Sequence, residues 1–289
     1  MKPAAASNPH WPTIAIVGVG LIGGSLGLAV TARRLAARVI GVGRSAGSLA
    51  EARRRGAVTE TTTDLAAATS QADLVVVATG VASIPDLLDA VDAAVRPGTL
   101  ITDAGSTKSS IVAAWEKRRR VRRGRFVGAH PIAGSHQRGP AAAAADLFTG
   151  RVTVVTPAAA TPPADAEAIG GFWSAVGTTV YMMPARDHDR LLAATSHAPH
   201  VIAAAIAAAT PAAARNFTAG GWRDTTRIAA GDPELWADIL LDNARAVAQS
   251  LSRIAAATEK MLVALEKNDR RKLVALLKRA KEERDAVGS

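Results

Sequence analysis

Cysteine is absent from the 289 residues, which excludes disulfide staples, thiolate metal sites and cysteine nucleophiles together. The remaining His, Asp and Glu residues form no cluster with ligand spacing, so no metal is expected. The segment Met1 to Pro12 lacks the apolar core of a secretory signal. The most apolar later run, Val201 to Ala209, stops at Thr210-Pro211, short of the ~20 residues that a bilayer span needs. These absences predict a cytoplasmic protein with no membrane partner.

Acids are the scarcer charge: 25 Asp and Glu against 35 Lys and Arg give a formal +10. A polyanionic partner would fit that total, but the excess is local. Residues 117–125 hold seven basic side chains (Lys117, Arg118, Arg119, Arg120, Arg122, Arg123, Arg125) and no acid, leaving +3 for the rest. Nucleic-acid binding usually shows a basic face with aromatics interleaved, whereas only Trp115 and Phe126 flank this run. A solvated helix end and loop is the expectation, with no nucleic-acid partner.

Short Val- and Ile-rich runs alternate with Ala-rich amphipathic stretches through the first two-thirds of the chain. Strands are predicted at Thr13–Val17, Arg38–Val42, Leu74–Ala78, Thr99–Thr102, Phe126–Ala129, Val152–Val155 and Val180–Met183. Strands separated by helices predict βαβ units in a doubly wound, mainly parallel α/β sheet. After Met183 the period is helical throughout. Asp232-Pro233-Glu234 is a helix start, with Asp as N-cap and Pro at the first position. No Gly or Pro follows until Gly288, so one helix is predicted over Pro233–Glu266, about 50 Å at roughly 1.5 Å per residue. A second is predicted to restart after Asn268-Asp269. A helix that long needs a neighbour for its apolar stripe, from its own domain or a second chain. The division predicted is residues 1–183 for a nucleotide-type domain and 184–289 for an all-α domain.

Gly18-Val19-Gly20-Leu21-Ile22-Gly23 follows a predicted strand and opens an apolar helix. Glycines so placed permit a tight turn, close approach to a pyrophosphate and helix–strand packing, while the helix N-terminus supplies amides to the anion. The segment is therefore read as the dinucleotide site, with Gly18, Gly20, Leu21, Ile22 and Gly23 against the cofactor. Where an NAD enzyme usually places an acid after the second strand, this chain has Arg44-Ser45. Arginine can pair with a 2′-phosphate and serine can donate to it, so NADP is predicted over NAD.

Two further segments end strands: Asp103-Ala104-Gly105-Ser106-Thr107-Lys108 and Gly128-Ala129-His130-Pro131-Ile132-Ala133-Gly134-Ser135. Loops at carboxyl strand ends form the ligand crevice of an open α/β sheet. Ser106 and His130 are thus expected beside the cofactor, where His130 can exchange a proton with a substrate hydroxyl as hydride leaves the same carbon. Within the helical region stand Thr195-Ser196-His197-Ala198-Pro199-His200 and Gly220-Gly221-Trp222-Arg223-Asp224-Thr225-Thr226-Arg227. The arginines can grip carboxylates bidentately; helix capping and surface ion pairs are the plainer reading of the same residues.

Taken in order, GxGxxG, DAGSTK, GAHPIAG, TSHxPH, GGWRDTTRIA and DPELWADI resemble the prephenate/arogenate dehydrogenases of tyrosine biosynthesis, over roughly residues 14–243. The resemblance implies a Rossmann domain joined to a helical dimerisation domain, and hence a homodimer through the C-terminal helices. It implies NAD(P)-dependent oxidative decarboxylation of prephenate to 4-hydroxyphenylpyruvate, or of arogenate to tyrosine. By the same resemblance His130 takes up the ring hydroxyl proton and Ser106 orients it. Arg227 holds a substrate carboxylate, Ser135, His200 and His197 touch substrate, and Trp236 reaches the partner subunit's site; ordinary helix packing is the alternative for Trp236. Many relatives carry an acid after the HPIAG turn where this chain has His136-Gln137-Arg138, which tilts the expectation toward prephenate. With no regulatory domain expected after Ser289, tyrosine feedback would have to act at the active site.

Three rivals remain at this stage. Another two-domain Rossmann enzyme, such as a β-hydroxyacid dehydrogenase or imine reductase, usually places a catalytic lysine on an interdomain helix. Between Lys108 and Lys260 the only lysine is Lys117, in the basic run. A dinucleotide-sensing protein would need no proton-transfer histidine, and a nucleic-acid binder rests on the basic run alone.

Overall fold

The computed structural model describes residues 11–117, 121–134 and 137–288. Eight strands are present: β1 (Trp11–Val17), β2 (Ala36–Val42), β3 (Glu60–Thr62), β4 (Leu74–Val77), β5 (Leu100–Asp103), β6 (Arg125–Ile132), β7 (Val152–Thr156) and β8 (Thr179–Met182). They form one sheet in the order β3-β2-β1-β4-β5-β6-β7-β8. Neighbours run parallel except β6 and β7, which are antiparallel. The seven predicted strands are all found. β3 was not predicted, because three polar residues, Glu60-Thr61-Thr62, at a sheet edge carry no apolar signal.

Helices α1 (Leu21–Ala32), α2 (Ala46–Arg54), α3 (Leu65–Thr69), α4 (Ile84–Ala94), α5 (Ser109–Lys117) and α6 (Pro163–Val176) cover both faces. Strand residues alternate between two cores as the pleat requires. Ile14, Ile16, Leu74 and Val76 face α1 and α6, whereas Ala15, Val17, Val75 and Val77 face α4 and α5. The strand order reverses between β1 and β4, and the crevice at such a switch point, beyond the carboxyl ends, is where doubly wound sheets bind ligands.

Beyond β8 the described chain is helical. The helices α7 (Ala185–Leu192) and α8 (Ala198–Ala209) are joined without a break by one wide, π-type turn over Ala193–His197. Then come α9 (Gly220–Thr226), α10 (Pro233–Asp242), α11 (Ala244–Glu266) and α12 (Arg270–Asp285). The Ala185–Ala209 rod, 25 residues whose most apolar 18-residue window has a mean hydropathy of 1.4, is longer than the run expected from sequence, and length and composition alone would let it cross a membrane. Its buried side also carries polar groups: His188, Asp189 and His197 are bonded into the interior beside Leu192, Ala193 and Ala198.

The single helix expected over Pro233–Glu266 is two helices. At Asn243 the backbone leaves helical geometry (φ −109°, ψ 25°), and the buried Asn243 side chain donates Nδ2–H to the carbonyl of Asp189, 2.8 Å away. A side chain that bonds backbone elsewhere competes with the helix, and asparagine does so readily. The predicted restart is present: Asn268 adopts φ 48° and the Asp269 carboxylate accepts from the Lys272 amide to cap α12.

Candidate active site

The β1–α1 turn is shaped for close approach. Gly18 has φ +96°, and a Cβ there would lie 2.6 Å from the Ala78 carbonyl oxygen. A Cβ on Gly23 would lie 1.8 Å from the Gly18 carbonyl oxygen, so α1 starts where it does only because residue 23 has no side chain. Gly20, the N-cap of α1, faces open space, and Leu21 and Ile22 in the first turn are half-buried. This cradle fits a dinucleotide pyrophosphate. Arg44 and Ser45 follow β2 and are exposed; Ser45 Oγ accepts from the Ser48 amide and so caps α2.

Past β5 the chain turns sharply, and Asp103 organises the turn. Its buried carboxylate accepts from the amides of Gly105 (2.8 Å) and Ala129 (3.0 Å) and pairs with the ammonium of Lys108, itself fully buried. Burial pulls the Lys108 ammonium below its usual range while the Asp103 charge pulls the other way. Neither residue of the pair was singled out from sequence. The pair fixes the DAGSTK loop against β6, where His130 lies.

His130 is buried, and its Nδ1 lies 2.8 Å from Nε2 of His188 on α7. His188 Nδ1 lies 2.8 Å from Asp189 Oδ1. The Asp189 carboxylate also accepts from the amides of Lys108 and Ser109, each at 2.8 Å. Burial pushes this carboxyl up, but the hydrogen bonds from His188, Ser109 and Lys108 prevail and hold it below the usual carboxylate range. Burial, reinforced by His188, Lys108 and His197, pushes the His130 imidazole well below its usual range. His188 engages His130 at Nδ1, while Ser106, expected to help orient His130 and the substrate, makes no side-chain hydrogen bond among the described residues.

The network continues. Asn243 Nδ2 lies 3.2 Å from His197 Nδ1, and burial lowers His197 to about 4. Trp236 on α10 meets His197 edge-on at 6.3 Å and stacks on His200 at 3.5 Å. Trp236 was expected to reach a partner's site; in this chain its ring lies on His200 of the same chain. His200 Nδ1 is buried without a hydrogen-bond partner among the described residues. Gly231 seats the stack, since a Cβ there would meet Trp236 Nε1 at 2.4 Å.

Arg227 is exposed and lines an open pocket of about 570 Å³ with Ala207, Trp222, Arg223, Asp224, Thr226, Ala229 and Ala230. Arg138 pairs with Asp232, the N-cap of α10, and so ties the loop after β6 to the helix carrying Trp236. Ser135 lies outside the described residues. The structure thus assembles His130, His197, His200 and Trp236 around two residues that sequence reasoning missed, His188 and Asp189. Both sit in Arg186-Asp187-His188-Asp189-Arg190, which reads as an exposed polar helix turn; the spacing of His188 to Leu192 on one face was the available signal.

Three arginines of the basic run are engaged within the chain. Arg122 covers the Trp115 ring at 3.9 Å, Arg123 donates to the Ala93 carbonyl and Arg125 pairs with Asp165 at 2.6 Å. Arg118, Arg119 and Arg120 lie outside the described residues.

Comparison with known proteins decides among the rivals. The nucleotide-binding domain of prephenate dehydrogenase matches residues 26–182, and the prephenate dehydrogenase dimerization domain matches residues 184–279. The chain belongs to the prephenate dehydrogenase family. A Bacillus subtilis prephenate dehydrogenase is 31% identical over 287 residues, 97% of this chain and 77% of that protein. The crystal structure of Aquifex aeolicus prephenate dehydrogenase in complex with hydroxyphenyl propionate and NAD+ gives a TM-score of 0.86 at 26% identity, covering 96% of this chain and 98% of that one. Synechocystis arogenate dehydrogenase gives 0.79 at 28% identity, covering 95% and 99%. This family member is accordingly an oxidoreductase with a nicotinamide cofactor and a Rossmann-type nucleotide domain.

Proposed function

We propose that this enzyme oxidises and decarboxylates prephenate, with His130 as the catalytic base. The observation that carries the reading is a buried imidazole near the carboxyl end of β6, in the same sheet whose β1–α1 turn forms the glycine cradle, with burial pushing it well below its usual range. A nicotinamide bound there supplies the hydride acceptor. His130 accepts the ring hydroxyl's proton at Nε2 while the carbinol C–H bond breaks, and loss of carbon dioxide from the opposite ring carbon makes the ring aromatic. The half-buried Ser106 borders the same loop. The orphan Nδ1 of His200 supports a substrate contact there, with Trp236 behind it and His197 beside it. Ser135, on the HPIAG turn, is assigned to substrate by the family resemblance.

Arg227 is proposed to hold a substrate carboxylate, for which its open pocket gives access. Arg227→Ala should raise KM for substrate about tenfold or more, the loss of a charge-assisted bond, with a smaller change in kcat. An unaltered KM would remove this assignment. Relatives named for prephenate and for arogenate frame the substrate choice. Prephenate is favoured because Gln137-Arg138 offers no carboxylate to an amine and Arg138 is committed to Asp232.

NADP is proposed over NAD. Arg44 is exposed after β2, and the Ser45 hydroxyl, which accepts a bond in capping α2, keeps its hydrogen to donate. The division 1–183 and 184–289 follows the change from sheet to helices between Met182 and Ala185. A homodimer through the C-terminal helices is supported by apolar side chains left uncovered: Leu241, Leu262, Leu265 and Leu277 are 47–75% exposed, and no residue of α12 is buried. A cytoplasmic setting suits a cysteine-free metabolic enzyme. Prephenate and arogenate, each assayed with NAD and NADP, test the whole reading; the expected best pair is prephenate with NADP, and no turnover with any pair would refute it.

A further inference from the structure

His130, His188 and Asp189 form an ordered line whose polarity can be read from chemistry. A carboxylate only accepts hydrogen bonds. The proton between Asp189 Oδ1 and His188 Nδ1, 2.8 Å apart, therefore sits on the imidazole. The carboxylate is pinned in place by the amides of Lys108 and Ser109, so its direction is set by the backbone. To receive a proton His188 must rest neutral, with a single N–H; that N–H is taken by Asp189, which leaves His188 Nε2 bare and accepting. The proton in the 2.8 Å contact between the two rings then belongs to His130 Nδ1. It follows that His130 Nε2 carries its lone pair, the form a base needs. His188 is fully buried, so no water competes for either nitrogen.

We propose that Asp189, acting through His188, holds His130 in the tautomer with a bare Nε2, and that His188 carries the substrate's proton while the ring reacts. The inference rests on the reading of His130 as the base. In the forward step the substrate O–H bond breaks and an N–H bond forms at His130 Nε2. The Nδ1 proton of His130 passes to His188 Nε2, leaving His130 neutral and an imidazolium at His188 against the Asp189 carboxylate. The carbinol hydrogen leaves with its electron pair to the nicotinamide. The ring carboxylate leaves as carbon dioxide, and its C–C pair completes the aromatic ring. Because the product is a phenol, its oxygen takes the proton back from His130 Nε2 as His188 returns its own. The line ends in its starting state, with no proton gained or lost. A paired imidazolium at His188 replaces one at His130, which among the described residues makes no carboxylate hydrogen bond of its own. His188 and Asp189 are positioning residues; the assignment requires neither to touch substrate.

Nitrogen NMR on uniformly 15N-histidine-labelled wild-type enzyme at neutral pH reads the tautomer directly, with His130→Asn and His188→Asn spectra assigning the signals. The expected result is His130 protonated at Nδ1 and bare at Nε2; a proton on Nε2 overturns the proposal. In steady-state assays His188→Asn should lower kcat about 10–100-fold, within the range of proton-transfer assistance, while KM for substrate changes less than about threefold. Wild-type kcat, or a raised KM with kcat intact, also overturns it. If His188→Asn does not fold, the wild-type spectrum still decides. Retained turnover in His130→Asn would sink the base assignment itself, whereas an inactive His130→Asn with the wrong wild-type tautomer would sink the relay alone.

Discussion

His200 and Trp236 lie face to face, with ring centroids 3.5 Å apart and planes inclined by 15°. The stack joins α8 to α10 above Gly231, where an added Cβ would meet Trp236 Nε1 at 2.4 Å and His200 Cε1 at 3.2 Å. Gly231→Ala should therefore push the rings apart. Overpacking of this kind costs about 1–3 kcal/mol. Here it should appear chiefly as an increase of about tenfold in KM for substrate, measured by steady-state kinetics, because the displaced rings face the site. A variant with unchanged KM and normal melting temperature would show that the stack does not shape the substrate pocket.

Replacing His130 by Asn should lower kcat by about two to four decades, the range for losing a positioned acid–base group. Cofactor affinity, followed by nicotinamide fluorescence titration, should stay within about twofold, since the glycine cradle is formed by β1 and α1 and owes nothing to β6.

The acid side of the pH profile should lie low. His130 works unprotonated, and burial depresses its titration well below the usual imidazole range. The fall in kcat/KM with acidification is therefore expected below pH 6.5. Stability should follow a related course through His197, lowered to about 4. An imidazole depressed in the folded state contributes its full stability above the unfolded value near 6.5. That stability is lost as pH falls toward 4, a loss on the order of 3 kcal/mol. Urea unfolding at several pH values should show this slope, flattened in His197→Gln.

Lys108→Met should be among the most damaging substitutions outside the reacting groups. It leaves the buried Asp103 carboxylate without its cation, a change that costs about 3–5 kcal/mol in buried pairs. Because Asp103 also holds the amides of Gly105 and Ala129, the DAGSTK loop and β6 should loosen together. Hydrogen exchange at those two amides is the measurement, and protection equal to wild type would count against the coupling.

The sheet was legible because its strands are buried on both faces: Leu74–Val77 is wholly apolar and wholly buried. The edge strand Glu60–Thr62 was not, since its polar residues carry no apolar signal and its tie to β2 is a backbone ladder plus the Glu60–Arg38 ion pair. His130 could be found because a strand-end histidine in an α/β protein has a predictable address. His188 and Asp189 could not, because their burial depends on contacts across 58 and 81 residues of chain. Local composition there, two arginines and two aspartates around one histidine, points outward. The break at Asn243 was hidden for the same reason: it depends on where the Asp189 carbonyl lies, 54 residues away.

That break has a mechanical meaning. A straight rod from Pro233 to Glu266 would have to choose between resting on the nucleotide domain and lying along a neighbouring subunit. The bend at Asn243 divides the labour: α10 places Trp236 and Ile239 against the nucleotide domain, and α11 is free to take another direction. The side chain at the elbow also holds the Asp189 carbonyl and His197. Asn243 therefore ties the start of α11 to the α7 backbone and to the buried histidines at one elbow, so a rotation of α11 would be felt at both.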